Sequence, residues 1–243
     1  MLLKLDGTTI LTDPVFSRRI GINLGIATLG MKRLVEPALK LRDLPKIDLI
    51  LLSHAHFDHF DIPSLRRLES RGTHVVTAAG TSDLLRPKRY AGVTELAWGG
   101  STSVGPVNIE AFQVNHWGAR MLRDNWRGYN GYTIDAGRYR VLFAGDTAAT
   151  PAFRGLKSSR PFHLALMPVG AYNPWIRAHC TPEQAWHMAG EAGTEFILPI
   201  HHQTFALSRE PYLEPIERVH AAAGNHPDRV AVHQIGEEFR LNI

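Results

Sequence analysis

The 243-residue sequence has very little cysteine: Cys180 is the only one. A single thiol cannot form an internal disulfide, which excludes a small disulfide-stapled secreted scaffold. The chain also lacks any run of roughly 18–20 apolar residues, the length that a transmembrane helix requires. Its first seven residues read as a strand and a turn at Asp6-Gly7, without the charged, apolar and small-residue order of a signal peptide. We therefore expect one domain over residues 1–243, located in the cytoplasm.

The sequence also lacks a large excess of positive or negative charge. The formal net charge is only +4, and short basic clusters such as Arg86-Pro87-Lys88-Arg89 are typical of solvated surface. A strong basic stripe is absent, which argues against a nucleic-acid partner. Repeats of solenoid period are absent as well.

Histidine is what the chain has in abundance, with thirteen residues. Residues 53–61 read SHAHFDHFD and follow residues 47–52, an apolar run that predicts a buried strand. An extended chain can point His54 and His56 at one cation, and Asp58 and His59 on the following turn can serve a second one. Imidazole and carboxylate are ligands of Zn²⁺ and similar metals. The alternative is a solvated loop in which histidine and aspartate occur together by chance.

Three further strand-like runs end in residues of the same kind. Residues 107–115 precede His116, residues 140–145 precede Asp146, and residues 195–200 precede the pair His201-His202. Gly145 permits a close approach of the backbone to a site. Ligands collected from the ends of separate strands make a rigid site.

With these residues in this order, the chain resembles the metallo-β-lactamase superfamily. Within it, the chain is similar to the N-acyl-phosphatidylethanolamine-hydrolysing phospholipase D group and its bacterial relatives. The segments that carry this resemblance are residues 11–17 (LTDPVFS), 116–120 (HWGAR), 143–147 (FAGDT), 168–172 (PVGAY), 204–207 (TFAL) and 212–215 (YLEP).

The resemblance implies an α/β (α+β) fold, a four-layer αββα sandwich with a dinuclear site at one edge. It implies two divalent metal ions, with Zn²⁺ expected and Mn²⁺ or Fe as alternatives. The implied first metal ligands are His54, His56 and His116; the second set is Asp58, His59 and His201, with Asp146 bridging. The family usually has an aromatic residue after the last ligand, where this chain has His202; the alignment favours His201.

Several neighbouring residues receive roles from this picture. Asp58 is expected to orient an attacking hydroxide shared by the metals, and Asp13 and Asp61 to accept hydrogen bonds from ligand imidazoles. For Asp13, capping a turn at Asp-Pro is an equal alternative. Thr181 and Gln184 predict a capping box at a helix start, with Pro182 at its first position.

The predicted substrate contacts lie on two loops. His179, just before that helix, is placed by the resemblance near the metals as a catalytic and substrate-binding residue, the alternative being an ordinary surface histidine. Trp117 and Arg120 suit an anionic, partly apolar substrate, although packing explains the tryptophan equally well.

Residues 18–33 have an apolar middle and basic flanks. One interpretation is a loop or short helix that makes weak contact with a membrane surface, which would place the protein peripherally at a membrane. The other is a lid or core segment, because the glycines weaken any helix there.

The predicted function is metal-dependent hydrolysis of a small-molecule or lipid substrate. A phosphodiesterase of phospholipase D type, acting on N-acyl ethanolamine phospholipids or similar molecules, comes first. A lactonase or ester hydrolase, for example on a sugar-phosphate lactone, is the alternative enzyme, because the same nucleophile attacks carbonyls. A non-catalytic metal-binding module is the alternative from another class.

Overall fold

A computed structural model describes residues 1–25, 28–121 and 123–241. Two β-sheets dominate it. The first sheet has the order β1-β2-β5-β6-β7, with β1 antiparallel to β2 and the other neighbours parallel. Its strands are β1 (Leu2–Leu5), β2 (Thr8–Thr12), β5 (Leu49–Leu52), β6 (His74–Ala78) and β7 (Gly92–Leu96).

The second sheet has the order β13-β12-β11-β10-β9-β8. The strands β11, β12 and β13 are parallel, whereas β8 to β11 pair antiparallel. Its strands are β8 (Ser101–Val104), β9 (Val107–Phe112), β10 (Gly131–Ala136), β11 (Tyr139–Phe143), β12 (Phe162–Pro168) and β13 (Thr194–Ile200).

The main core lies between the two sheets. Successive side chains of a strand point to opposite faces, so Leu49 and Leu51 of β5 face the second sheet, where they join Ile134 and Val141. Each fully buried aliphatic side chain of this kind stabilises the fold by about 1.5–3 kcal/mol.

Helices cover the outer faces of both sheets. On the first sheet, Ile50 and Leu52 of β5 pack with Leu65 of α1 (Ile62–Arg67). On the second, the apolar faces of α2 (Pro182–Glu191) and α3 (Glu214–Ala223) pack on side chains that include Leu142 and Ile197. The order of layers is therefore helix, sheet, sheet, helix, which confirms the predicted αββα sandwich.

The start of α2 confirms the predicted capping box. The Gln184 amide nitrogen donates to the Thr181 side chain, and the Gln184 side chain accepts from the Thr181 backbone nitrogen. Pro182 occupies the first helical position. The capping box fixes the point at which the loop that carries His179 becomes helical.

Two predicted strands are shorter than expected. The strand β9 ends at Phe112 and β11 at Phe143, before His116 and Asp146. Gly145 has a φ of +60°, and a Cβ there would lie 2.8 Å from the Ser53 Cβ. The chain turns at Gly145 and passes close to the residues after β5, as this glycine predicted.

Of the two interpretations of residues 18–33, the loop or short helix is wrong for the residues that the structure describes. They form an antiparallel hairpin of β3 (Arg19–Asn23) and β4 (Thr28–Lys32); residues 26 and 27 lie outside the described part. Gly21 and Gly30 face each other with φ of +138° and +152°. Only glycine tolerates these angles, so the same residues that disfavour a helix permit this ribbon. Among the described residues, no helix is both long and apolar enough to cross a membrane.

Candidate metal centre

The residues after β5, β11 and β13 meet at one edge of the sandwich. Parallel strands of one sheet end at the same edge, which brings Asp146 close to His201. We call residues 53–61, which follow β5 in the facing sheet, the ligand loop. His54, His56, Asp58 and His59 all lie on it, and the described structure brings them together with His116, Asp146 and His201. Three sets of potential metal ligands result: His54, His56 and His116; Asp58, His59, Asp146 and His201; and His116, Asp146 and His179. We call the first two sets the first group and the second group.

The first group consists of three imidazoles. His54 Nε2 lies 2.8 Å from His56 Nδ1, and His116 Nε2 lies 3.3 Å from the same atom. Three ring nitrogens therefore converge on one point, the geometry that a single cation requires.

The second group contains two carboxylates, Asp58 and Asp146, and two imidazoles. Asp58 Oδ2 lies 3.5 Å from His59 Nε2 and 3.2 Å from His201 Nε2. The rings of His59 and His201 are stacked with centroids 5.0 Å apart. The group has mixed nitrogen and oxygen ligands, as expected from the sequence.

Asp146 belongs to the second group and also lies close to the first. Its Oδ2 atom is 3.1 Å from His59 Nε2 and 3.3 Å from His201 Nε2. The same oxygen is 3.9 Å from His54 Nε2 and 3.8 Å from His116 Nε2. One carboxylate oxygen is thus within reach of cations held by either group.

Hydrogen bonds on the far side of the rings fix which nitrogen faces the centre. His59 Nδ1 donates to Asp13 Oδ2 at 2.6 Å, and His116 Nδ1 donates to the Ala178 carbonyl at 2.8 Å. Ser53 Oγ donates to Asp13 Oδ2 and lies 2.9 Å from His54 Nδ1. Each Nε2 is thereby turned toward the centre.

These contacts confirm the prediction that Asp13 is a partner of a site imidazole. Asp61 is different: its Oδ2 accepts from Ser17 Oγ at 2.6 Å and from the Ser64 hydroxyl. The prediction for Asp61 is wrong, because this carboxylate ties the ligand loop to the segment after β2 instead of orienting an imidazole. Ser53 and the Ala178 carbonyl were not anticipated, although Ser53 immediately precedes His54.

Burial and mutual charge set the protonation states. Burial lowers the pKa of His54 well below its usual range and that of His116 to about 3. Burial acts to raise the pKa of Asp146, but the imidazoles of His201 and His59 hold it well below its usual range. Neutral imidazoles and ionised carboxylates are the forms that bind metals.

His59 and His201 behave in the opposite way. Burial acts to lower the pKa of both, but nearby carboxylates, Asp146 foremost, raise it. Without a metal, the buried negative charge therefore favours a proton on each ring. A divalent cation can replace those protons, since carboxylates attract either.

The donor set fits a divalent transition metal. His59 Nε2 and Asp146 Oδ1 are buried atoms of this set that make no hydrogen bond within the described structure. Buried polar atoms without partners cost free energy, about 1–3 kcal/mol each. Nitrogen and oxygen ligands in this number and arrangement are what Zn²⁺ and related ions take.

The backbone conformation decides which histidine of the pair His201-His202 joins the metal centre. His201 adopts a φ of +60° and joins the second group, whereas His202 belongs to neither group among the described residues. A Cβ on Gly170 would lie 2.3 Å from the His201 carbonyl oxygen, so this glycine permits the turn. Burial lowers the pKa of His202 to about 4.

His179 and Trp117 flank the centre. His179 Nδ1 lies 3.8 Å from Asp146 Oδ2, and its ring stacks on His201 with centroids 5.3 Å apart. Trp117 is 57% exposed, and its ring contacts that of His56 edge-on at 4.8 Å. Both predicted substrate residues therefore stand beside the cluster.

The Arg120 guanidinium contacts the ligand loop. Its Nη1 donates to the Ala55 and Phe60 carbonyls, each at 2.8 Å. The guanidinium also lies 4.1 Å from the centre of the Phe57 ring. Its donors hold the ligand loop in place, and burial lowers its pKa to about 10, so it is charged at neutral pH.

Comparison with known proteins agrees with this geometry. The profile of the beta-lactamase superfamily domain matches residues 8–202, so the chain belongs to that family. An uncharacterized protein of Mycobacterium tuberculosis is 33% identical over 95% of the chain, but the match covers 63% of the relative. The chain thus spans about three fifths of the length of that relative.

Two further comparisons add to the picture. N-acyl-phosphatidylethanolamine-hydrolyzing phospholipase D 1 of Caenorhabditis elegans is 29% identical, covering 90% of this chain and 66% of the worm protein. The structure of a metallo hydrolase from the archaeon Ignicoccus hospitalis superposes with a TM-score of 0.68, covering 98% of this chain and 94% of that chain at 22% identity. The structural match shows the shared fold, and the worm relative supports the predicted subgroup.

Proposed function

We propose that the chain is a dinuclear, zinc-dependent hydrolase that cleaves phosphodiesters in the manner of a phospholipase D, with N-acyl ethanolamine phospholipids or similar molecules as substrates. The position of Asp146 carries this proposal. Its Oδ2 atom lies within 4 Å of ring nitrogens of both groups, 3.1 Å from His59 and 3.8 Å from His116. A single-metal site has no use for a buried carboxylate between two sets of ligands.

In the proposed site, His54, His56 and His116 hold one cation, and Asp58, His59 and His201 hold the other, with Asp146 shared. When bound, two such cations lower the pKa of a water molecule and neutralise charge on the group under attack. The protein fixes the ligands before substrate arrives, through the hydrogen bonds of Asp13, Ser53 and the Ala178 carbonyl.

Two residues act on the reactants. Asp58 Oδ2 lies at the edge of the cluster, 3.2 Å from His201 Nε2, where its lone pairs can also orient the attacking water. Burial lowers the pKa of His179 to about 4, so its ring is neutral at physiological pH. Its buried Nδ1 has no hydrogen-bond partner within the described structure, and we assign it a contact with a substrate phosphoryl oxygen.

The choice of a phosphodiester over a lactone rests on the relatives and on the rim of the site. A phospholipase D of Caenorhabditis elegans is similar over 90% of this chain. The exposed ring of Trp117 beside His56 adds apolar surface at the mouth, suited to the acyl part of a lipid.

The test is turnover of bis(p-nitrophenyl) phosphate by metal-replete protein, alongside an N-acyl phosphatidylethanolamine and a panel of lactones, with metal analysis of the same samples. Asp146→Asn should lower phosphodiester turnover by at least about 100-fold. Loss of a residue that only hydrogen-bonds to a metal ligand already lowers activity by up to about 100-fold. Asp228→Asn, an exposed aspartate near the chain's end, is the matched control and should leave turnover unchanged.

Two outcomes would contradict the proposal. Lactone turnover without phosphodiester turnover would make the chain a lactonase. Wild-type turnover by Asp146→Asn would show that the shared carboxylate, and with it the ligand assignment, is wrong.

A further inference from the structure

The β3–β4 hairpin, with its flanks, exposes an unusual amount of apolar side chain. We call residues 18–25 and 28–34 the apolar hairpin. Leu24 is 63% exposed and Leu29 is 69% exposed. Ile22, Met31 and Leu34 are also exposed. Single exposed aliphatic residues are ordinary, but a contiguous group of five marks an interaction surface.

The exposure increases away from the body of the protein. Ile20, which pairs with Met31, is only 4% exposed, whereas Ile22 pairs with Leu29 and both are exposed. The ribbon is therefore anchored at its base and presents apolar side chains beyond it. A segment that merely covered the core would bury this surface.

Basic side chains surround the base of the hairpin. Arg18, Arg19, Lys32 and Arg33 flank the apolar residues, and residues 14–35 contain no aspartate or glutamate. Arg19 Nη1 donates to the Gly30 carbonyl at 2.9 Å, and Arg33 Nε donates to the Ser17 carbonyl at 3.2 Å. Within the described ranges, none of these four cations forms an ion pair with a carboxylate. Arg18, Arg19 and Lys32 are exposed, so their charge is available to a partner, whereas Arg33 is half-buried and interacts with the charges of Asp61 and Glu36.

This layering selects one kind of partner. Apolar side chains beyond a ring of cations match a bilayer, in which hydrocarbon lies below anionic headgroups. A second copy of the chain would bring the same four cations against one another across a symmetric interface, which disfavours pairing through this surface.

The base of the hairpin is joined to the metal centre. Arg33 pairs with Phe205, and the Leu34 amide donates to the Thr204 carbonyl at 2.8 Å, on the loop that follows His201. Arg33 also donates to the carbonyls of Val15 and Ser17, on the segment that follows Asp13. A surface that receives the hairpin therefore lies beside the metal centre.

We propose that the apolar hairpin docks on an anionic lipid bilayer, with Leu24 and Leu29 among the acyl chains and Arg18 and Lys32 at the level of the phosphates. The inference rests on the proposed function in one respect: the docked bilayer is the source of the phospholipid substrate.

Co-sedimentation with vesicles tests the proposal. The full chain should bind mixed vesicles that contain equal amounts of phosphatidylcholine and phosphatidylglycerol. It should bind vesicles of phosphatidylcholine alone more weakly, and this difference in binding should disappear in about 1 M salt. Each cation near an anionic surface strengthens binding about fivefold, so Arg18→Glu with Lys32→Glu should weaken it by at least about 25-fold. Leu24→Asp with Leu29→Asp should abolish binding.

The matched control is Arg67→Glu with Arg71→Glu, an equal reversal of charge at exposed positions within and after α1. This control should reduce vesicle binding far less. Turnover of bis(p-nitrophenyl) phosphate, which needs no membrane, should be the same in the wild type and both hairpin variants. Equal turnover shows that these variants are folded.

The outcomes separate the two proposals. Wild-type protein that turns over the soluble substrate but does not bind anionic vesicles refutes docking and leaves the proposed function intact. Vesicle binding that both hairpin variants retain refutes the hairpin as the docking surface. Concentration-dependent dimers that Leu24→Asp with Leu29→Asp dissociates, in protein that does not bind vesicles, would identify a self-association surface instead. Vesicle binding without turnover of any phosphodiester would support docking and overturn the proposed function.

Discussion

Replacement of Arg120 separates two roles that the sequence alone does not distinguish. In the sequence, Arg120 is an arginine a few residues after His116. That position fits a guanidinium that binds substrate beside the metals and fits equally well a guanidinium that holds the ligand loop. In the structure, Nη1 donates to two carbonyls, Ala55 and Phe60, and both residues are fully buried. Arg120→Met keeps much of the side-chain length and removes both hydrogen bonds.

The expected cost follows from those contacts. A hydrogen bond to a charged group contributes about 1.5–3 kcal/mol, and a buried carbonyl left without its donor costs a similar amount. Two such bonds give about 3–6 kcal/mol, and the partial exposure of Arg120 places the value near the lower end. We therefore expect the free energy of unfolding to fall by about 3 kcal/mol.

The metal centre should report the same loss. Looser anchoring of the ligand loop lowers metal affinity, because His54, His56, Asp58 and His59 all lie on it. We expect metal affinity, measured by competition with a chelator, to decrease about 10–100-fold. This is the usual effect of removing a residue that hydrogen-bonds to a metal ligand. Arg120→Lys should recover part of both losses, and Arg123→Met, at an exposed position three residues on, is the matched control. Arg120→Met with normal stability and normal metal affinity, but a raised KM, would refute the loop-holding role.

Three further predictions follow from individual contacts. Asp13→Asn removes the carboxylate that accepts from His59 Nδ1, so metal affinity should fall 10–100-fold; unchanged affinity in chelator competition would contradict this. Chelation of the wild type should lower its unfolding free energy by about 2.7 kcal/mol when the free metal had been 100 times its Kd; identical urea curves with and without metal would contradict it. Hydrogen bonding to Arg218 lowers the pKa of Glu183 to about 2 from 4.5, so its stabilisation is present above 4.5 and lost as the pH falls toward 2. Both side chains are partly exposed, so Glu183→Gln should cost at most about 1 kcal/mol near pH 6, and the difference from wild type should shrink near pH 3; a constant difference would contradict the assignment.

The parts of the fold that could be predicted depend on local rules. The apolar run over residues 47–52 predicts a buried strand, and Thr181 with Gln184 predicts a helix start, since each signal acts within a few residues. His54, His56, Asp58 and His59 stand out for the same reason, because their spacing after a strand is visible without any partner. The partners His116, Asp146 and His201 came from repetition of the same pattern at other strand ends.

Other features depend on contacts between distant segments and were missed. Arg120 turns toward Ala55 and Phe60, sixty or more residues earlier in the chain, and no local pattern distinguishes this from a contact with substrate. The contact of Asp61 with Ser17 likewise joins segments that are distant in the sequence. The hairpin over residues 18–33 does not follow from the sequence, because the sequence does not show that Gly21 and Gly30 oppose each other across two strands.

The number of metal ions per chain tests the central claim most directly. Elemental analysis of purified, zinc-replete protein should give two zinc ions per chain, and His116→Ala and His201→Ala should each lose one while keeping the other. His226→Ala, at an exposed histidine near the chain's end, should retain both. One zinc ion in the wild type, or two in both His116→Ala and His201→Ala, would contradict a dinuclear centre built on Asp146.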